Sequence, residues 1–215
     1  EQKEKYYPRL AGGEISAFAL TETEVGSDPA NMSTKAELSE DGSHFILSGE
    51  KLWCTNGTRA GLFVVMAQTP PKMVRGRERR QITAFIVERD MPGVEVVSRS
   101  RFMGLRALYN GVIRFTDVKV PVENILGEEG RGLRLALTTL NTGRLTLPAA
   151  CTGASKRALK MAREFSRDRQ QWGSNIGKHE AIAQKVAFIA SHTFAMEAIS
   201  FYPSMLVDLG GADIR

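Results

Sequence analysis

Two short stretches carry the residue types from which a ligand site could be built. One is Ala17 to Asp28, Ala-Phe-Ala-Leu-Thr-Glu-Thr-Glu-Val-Gly-Ser-Asp, and the other is Lys51 to Gly57, Lys-Leu-Trp-Cys-Thr-Asn-Gly. Each is an apolar or β-branched run that stops in hydroxyls, a carboxylate or amide, and glycine. The physical reading is a strand whose end opens into a loop, offering backbone N–H groups, small hydroxyl donors and close backbone approach. Such groups can hold an electron-rich ring without supplying a formal positive charge, and two such ends can face one ligand. The same residue types also describe ordinary turns between strands, and Trp53 also fits a barrel core.

The elements around these stretches are short and closely spaced. Glu1 to Leu10 reads as a charged helix closed by Pro8 and Gly12-Gly13. Ile15 to Thr21 follows as a strand, then a hairpin of Thr34 to Leu38 and His44 to Leu47 about Ser39-Glu40-Asp41-Gly42. Lys51 to Thr55, Leu62 to Gln68, Gln81 to Glu88, Val94 to Val97 and Gly111 to Val120 complete the set. Strands this close, with no helical period between them, predict an antiparallel barrel or sandwich rather than βαβ units. No Gly-x-Gly-x-x-Gly is present, so a dinucleotide here is not held in the Rossmann manner. The basic run from Pro70 to Arg80, with Lys72, Arg75, Arg77, Arg79 and Arg80, reads as a solvated loop or as a surface for an acidic partner or a ligand phosphate.

After Pro121 the pattern turns helical. A helix is predicted to start near Gly130, with Leu133, Leu137 and Leu140 on one face and Glu128-Glu129 before its positive end. Pro148 cannot donate to the carbonyl of Arg144, which predicts a kink or break between Asn141 and Pro148. Gln170 to Lys178 reads as a loop, and Glu180 to Tyr202 as a second long helix stopped by Pro203. Two long helices in succession imply part of an up-down helical bundle. The resulting fold class is α+β and multidomain: 1–14 the end of an N-terminal helical domain, 15–127 an antiparallel β-barrel domain, and 128–215 the first helices of an incomplete C-terminal bundle.

Composition bounds the function. With 215 residues, 42% hydrophobic and 25% charged, the chain can bury one large core or two smaller ones. No apolar run nears the roughly 18 residues needed to span a bilayer, and Glu-Gln-Lys-Glu-Lys-Tyr-Tyr-Pro has no apolar signal core. The two cysteines and three histidines have no metal-ligand spacing, so no metal is expected. A net charge of +5 comes from 29 basic residues interleaved with 24 acidic ones, a mild bias and not a nucleic-acid signature.

The two opening stretches resemble the flavin-contacting segments of the acyl-CoA dehydrogenase family. The first matches as Thr21, Glu22, Gly26, Ser27 and Asp28, and the second as Lys51, Trp53, Thr55, Asn56 and Gly57. The resemblance runs on through Phe85-Ile86-Val87, Pro92-Gly93-Val94, Met103-Gly104, Phe115, Asp117-Val118, Val120-Pro121 and Asn124-Ile125-Leu126-Gly127 to Arg169, Trp172 and Gly173. It implies FAD as cofactor and α,β-dehydrogenation of an acyl-CoA to the trans-2-enoyl-CoA. It also implies electron-transferring flavoprotein as acceptor, a homodimer or homotetramer, and a bacterial cytoplasmic or mitochondrial matrix location. No nucleic acid is expected as a partner, although a scaffold-retaining, nucleic-acid-associated relative and an acyl-CoA oxidase are alternatives.

By the same resemblance, Phe18, Leu20 and Thr21 bring backbone and hydroxyl donors to the flavin pyrimidine edge. Trp53 stacks on the isoalloxazine, Thr55 donates toward N5, and Gly26 and Ser27 sit where cofactor and acyl-CoA meet. Asn141 and Arg144 match substrate-side positions near the nucleotide of the thioester. Arg169, Gln171, Trp172, His179 and Glu180 match a loop serving the neighbouring subunit's flavin. Glu180 departs from the family's usual Gln, and a carboxylate there repels a diphosphate unless it turns away. Gly143 occupies the alternative position of the catalytic base and Glu22 is expected to be tied up in loop hydrogen bonds. The base is therefore expected beyond Arg215, and these 215 residues alone are expected to be inactive. The Asn-x-Gly-Arg run, Asn141 to Arg144, is similar to that of very-long-chain-type relatives.

Overall fold

The computed structural model describes residues 1–74 and 76–210, with the side chains of Val74 and Arg77 excepted. Arg75, one of the residues of the basic run, and residues 211–215 lie outside the described residues. The chain divides into two compact units, residues 1–136 and 137–215.

The first unit is a curled, mixed sheet of seven strands. These are β1 Ser16–Ala19, β2 Lys35–Leu38, β3 His44–Cys54, β4 Leu62–Val74, β5 Arg77–Glu88, β6 Val94–Arg99 and β7 Gly111–Pro121. The order is β1-β4-β2-β3-β7-β6, with β5 on the other side of β4. The antiparallel expectation holds for β2 with β3, β3 with β7, β4 with β5 and β6 with β7. It fails for β1 and β2, which both run parallel to β4. Close spacing along the chain favours hairpins, but the β2–β3 hairpin is inserted between β1 and β4, so those strands meet by a crossover.

Period-two burial drives the curl. In β7, Gly111, Ile113 and Phe115 point inward, and the phase then slips so that Val118 and Val120 do. The slip falls at Asp117, which has φ 49°. Its N–H donates to Ser48 Oγ at 2.9 Å while Ser48 Oγ donates to its carboxylate at 2.8 Å. That bulge faces the register shift between Leu47 and Gly49 on β3. Gly49 is required there, because a Cβ would overlap Thr34. The curled inner face closes over Phe45, Phe63, Phe85 and Phe115. Phe45 of β3 meets Phe85 of β5 edge-on at 5.1 Å, and Phe63 of β4 meets Phe115 of β7 at 6.1 Å.

Helix α1, Gln2–Ala11, lies against this sheet through buried Tyr6, which packs with Leu62 and Ile86. Arg9 and Lys5 both pair with Glu88, at 2.6 and 2.9 Å. The helix runs through Pro8 instead of closing on it, and ends where the N–H of Gly12 reaches the carbonyl of Pro8 at 2.9 Å. The basic run is also more ordered than a loop: β4 and β5 extend as a ladder to Val74↔Arg77. Pro70 and Pro71 are tolerated at the irregularity between Thr69 and Lys72, where the ladder needs no donor from them.

Helix α2, Gly132–Asp168, starts on the outer face of β4 and β5, where Leu133, Leu135 and Ala136 pack with Met32, Met66, Ile82 and Ala84. In the second unit α2 continues past Pro148 as one helix, so of the expected kink or break the break does not occur. Arg144 is exposed, so water can serve the carbonyl that Pro148 leaves without a donor. Helix α3, Glu180–Asp208, likewise runs through Pro203, and around it Ser200 and Ser204 hydroxyls donate to the carbonyls of Met196 and Ser200. The two helices run antiparallel, as Thr152 meets Ser200, Ser155 meets Met196 and Lys156 pairs with Glu197. Between them β8, Gln170–Gln171, and β9, Ser174–Asn175, form a tight hairpin where a loop was expected.

Two glycines of α2 test this packing in opposite senses. A Cβ on Gly132 would lie 2.5 Å from both Thr83 C and Ala84 N, whereas one on Gly143 meets nothing within 4 Å. Gly132→Ala is expected to destabilise the chain by about 1–3 kcal/mol in urea unfolding. Gly143→Ala is expected to stabilise it by about 0.5–1 kcal/mol. Equal shifts would contradict the seating of α2 on β5.

Candidate functional site

The ends of β1 and β3 meet, and the contact is made by backbone and one buried ion pair. The N–H of Leu52 donates to the carbonyl of Thr21 at 2.8 Å. Lys51, whose side chain is 0% exposed, reaches across to the carbonyl of Leu20 at 3.1 Å and to Glu22 Oε1 at 2.8 Å. Glu22 also accepts from the N–H and hydroxyl of both Ser33 and Thr34, at 2.6 to 3.0 Å. Burial acts to raise its carboxyl, but the bonds from Lys51, Ser33 and Thr34 prevail and hold it down at about 2. Burial pulls the Lys51 amine below its ordinary range, against the attraction of Glu22.

Further along β1, the Cys54 thiol faces the carbonyl of Phe18 at 3.6 Å and the Asn56 amide donates to that of Ser16 at 3.4 Å. The carbonyls of Ser16, Phe18 and Leu20 thus share the edge of β1 that faces the end of β3. In a strand a residue's N–H and C=O point to the same edge, so the N–H groups of Phe18 and Leu20 lie there too. The side chains of Phe18 and Leu20 are used elsewhere, packing on Met66 and Ala84. Cys54 is buried, which pushes its thiol up to about 11.

Past Lys51 the chain takes left-handed backbone at Trp53, φ 54°, and Asn56, φ 66°. Trp53 is 54% exposed and stacks on Phe102 with centroids 5.8 Å apart. Asn110, 3% exposed, donates its amide to the carbonyl of Trp53 at 2.9 Å and to Thr55 Oγ1 at 3.0 Å, while Ser100 Oγ donates to its Oδ1 at 3.0 Å. Thr21 is half-buried; Gly26 and Ser27 are exposed beyond buried Val25, whose N–H and C=O bridge to Glu22. Arg80 of the basic hairpin donates to Asn31 at 2.6 Å, and Lys72 pairs with Glu129 at 3.2 Å.

This donor set comprises strand-edge peptide groups, hydroxyls, an indole face and a lysine already neutralised by Glu22. It suits a flat, uncharged conjugated ring better than a free anion. It fits the isoalloxazine of FAD.

The remaining sequence-derived residues belong to the second unit and form two groups within it. Asn141 and Arg144 lie one turn apart on α2, with Arg144 Nη1 donating to Asn141 Oδ1 at 2.5 Å. Arg169, Gln171, Trp172 and His179 cluster at the β8–β9 hairpin. Trp172, φ 49°, and Gly173, φ 77°, make its two-residue turn, and Trp172 is 89% exposed. His179 Nε2 lies 3.1 Å from the carbonyl of Gln171, and its ring meets the indole of Trp172 edge-on at 5.6 Å. Glu180 accepts from Gln184 at 3.0 Å along α3, so its carboxylate is engaged on its own helix. Lys160, Arg163, Arg167 and Lys178 line a cleft beside the hairpin.

Sequence reasoning named Lys51 only as part of a motif and missed Asn110 and Ser33-Thr34. A lysine inside an otherwise apolar strand was a usable signal, since such a residue needs a carboxylate partner. Asn110 had no local signal. Among the described residues no cluster of His, Cys, Asp and Glu could hold a metal ion, and no helix is long and apolar enough to cross a membrane.

Two family models match the chain: acyl-CoA dehydrogenase, middle domain, over residues 17–118, and acyl-CoA dehydrogenase, C-terminal domain, over residues 130–213. The chain is 52% identical over 215 residues to a probable acyl-CoA dehydrogenase, FadE10, of Mycobacterium tuberculosis, covering 100% of the chain and 33% of that protein. It is 38% identical over 216 residues to the mitochondrial very long-chain specific acyl-CoA dehydrogenase of Bos taurus, with the same coverage of 100% and 33%. The crystal structure of an acyl-CoA dehydrogenase complexed with FAD from Bacillus anthracis superposes with TM-score 0.80 at 37% identity, over 93% of this chain and 33% of that one. The chain thus spans about a third of the length of the curated relatives it matches.

The Lys51–Glu22 pair yields a pH dependence of definite sign. The Glu22 carboxyl is held at about 2 in the fold against an ordinary 4.5, so its contribution is complete above about pH 4.5 and is lost as pH falls toward 2. That contribution is about 3 kcal/mol. In urea unfolding, Glu22→Gln is expected to flatten the loss of stability between pH 5 and about 2. At neutral pH, Lys51→Met leaves the carboxylate buried without its cation and is expected to cost about 3–5 kcal/mol. Unchanged unfolding of both variants would refute the role given to the pair.

Proposed function

Because this chain belongs to the acyl-CoA dehydrogenase family, we propose that the full protein oxidises an acyl-CoA thioester across its Cα–Cβ bond. The product is the trans-2-enoyl-CoA, FAD is the cofactor and an electron-transferring flavoprotein is the acceptor. The observation that carries this reading is the joining of the β1 and β3 ends into one ledge braced by Lys51 and Glu22.

Bound FAD supplies the hydride acceptor. Around it, the N–H groups of Phe18 and Leu20 and the hydroxyl of Thr21 serve the pyrimidine edge, where negative charge collects on reduction. The half-exposed indole of Trp53 lies along the ring and the hydroxyl of Thr55 donates toward N5. Gly26 allows close approach and Ser27 contacts both cofactor and acyl-CoA. In the second unit Asn141 and Arg144 take the nucleotide side of the thioester. Arg169, Gln171, Trp172 and His179 serve the diphosphate and adenine of a neighbouring subunit's flavin, in at least a homodimer or homotetramer. Glu180, bonded to Gln184, stands aside from that diphosphate.

The α-proton is taken by a base outside these 215 residues, since Gly143 has no acceptor and Glu22 is held in five hydrogen bonds. Residues 1–14, 15–127 and 128–215 accordingly form the end of an N-terminal helical domain, the flavin and substrate domain, and the first helices of the C-terminal bundle. The setting is bacterial cytoplasm or mitochondrial matrix.

The test is anaerobic mixing of the FAD-loaded full-length protein with saturated acyl-CoAs from short to very long. Bleaching of the flavin band is expected for at least part of the series; none at any length would overturn the reading. Trp53→Ala is expected to weaken flavin binding by roughly 1 kcal/mol and to change the visible band. Arg169→Ala is expected to lower flavin occupancy through a lost charge-assisted contact of about 1.5–3 kcal/mol, read by equilibrium dialysis.

A further inference from the structure

The segment from Trp53 to Asn56 is held in an unfavourable backbone conformation by a residue far away in sequence. Trp53 and Asn56 both have positive φ, 54° and 66°, and a bulky residue such as tryptophan is rarely stable there without outside support. The support comes from Asn110, at the start of β7. Its amide nitrogen has two protons and spends them on the carbonyl of Trp53 at 2.9 Å and the hydroxyl oxygen of Thr55 at 3.0 Å. Its carbonyl oxygen accepts from Ser100 Oγ at 3.0 Å, and its backbone carbonyl accepts from the N–H of Ser100 at 2.9 Å. The amide is thereby fixed at both ends, and at 3% exposure water does not compete for it.

One of these bonds has a chemical consequence. A threonine hydroxyl has one proton and two lone pairs. With Asn110 donating into one lone pair, the proton of Thr55 cannot point at Asn110 and is directed away from it, on an exposed residue two positions from Trp53. We infer that Asn110 is a positioning residue of the cofactor site: it holds the Trp53–Thr55 segment in its left-handed turn and commits the Thr55 hydroxyl to act as a donor toward the bound ring. This rests on the flavin reading of the site given above.

Donation to a ring nitrogen that accepts only in the oxidised state favours that state. Weakening the donation therefore raises the midpoint potential of the bound flavin. The FAD-loaded full-length protein is compared as wild type, Thr55→Val, Asn110→Ala and the double variant, reading midpoint potential by spectroelectrochemistry together with the visible band. The expected result is a higher potential for both single variants, with the double variant no further displaced than Thr55→Val alone. Where Asn110→Ala does not fold, Ser100→Ala, which frees the amide carbonyl of Asn110, is read by the same criterion. Thr55→Val indistinguishable from wild type would overturn the flavin contact itself. A shift in Thr55→Val with none in the Asn110 variant, or an Asn110 shift that persists undiminished beside Thr55→Val, would overturn the positioning role and leave the flavin contact standing.

Discussion

The burial of one lysine beside one glutamate is the constraint on which the first unit depends. Lys51 gives up all contact with water, and this is tolerable only because Glu22, the carbonyl of Leu20 and the polar groups of Ser33 and Thr34 form a closed set around it. The pair ties three pieces of chain together: the end of β1, the end of β3 and the turn before β2. A hydrophobic replacement of similar size could fill the volume, but it would not specify which carbonyl of β1 lies opposite which residue of β3. The ion pair holds Lys51 against the carbonyl of Leu20, beside the backbone bond from Leu52 to Thr21.

Local pattern made much of this legible. Alternation in residues 111–120 and 81–88, the turn at Asp41-Gly42 and the helical period after Gly130 all describe elements that the fold contains. Residue types at the strand ends also pointed to the ledge. Strand direction was not legible, because whether β1 meets β4 or β2 depends on contacts across some 45 positions and not on any turn signal. Proline was overweighted for a related reason. Pro8, Pro148 and Pro203 each remove one bond from a helix whose other turns keep theirs, and the exposed or hydroxyl-bearing surroundings make that loss small. Asn110 illustrates the remaining gap. It stands just before the strand expected from Gly111, and only the folded chain brings Trp53 and Thr55 within reach of its amide.

The second unit shows a different balance. Helix α3 leaves Phe188, Phe194, Ile199, Phe201, Tyr202 and Met205 exposed around much of its girth. Its contacts with α2 run through small and polar residues, Thr152, Ser155 and Ser200. Such an apolar circumference is unlike the single apolar stripe of a surface helix.

Cys54 stands one residue from Trp53 and one from Thr55, on the inward side of the same strand end. Burial pushes its thiol up to about 11 against the opposing pull of the Lys51 charge, so the thiol is protonated at neutral pH. Sulfur is attacked by peroxides and electrophiles as the thiolate. A cysteine in this position is therefore slow to react with oxidants, so the strand end can carry a soft, space-filling side chain without accumulating damage.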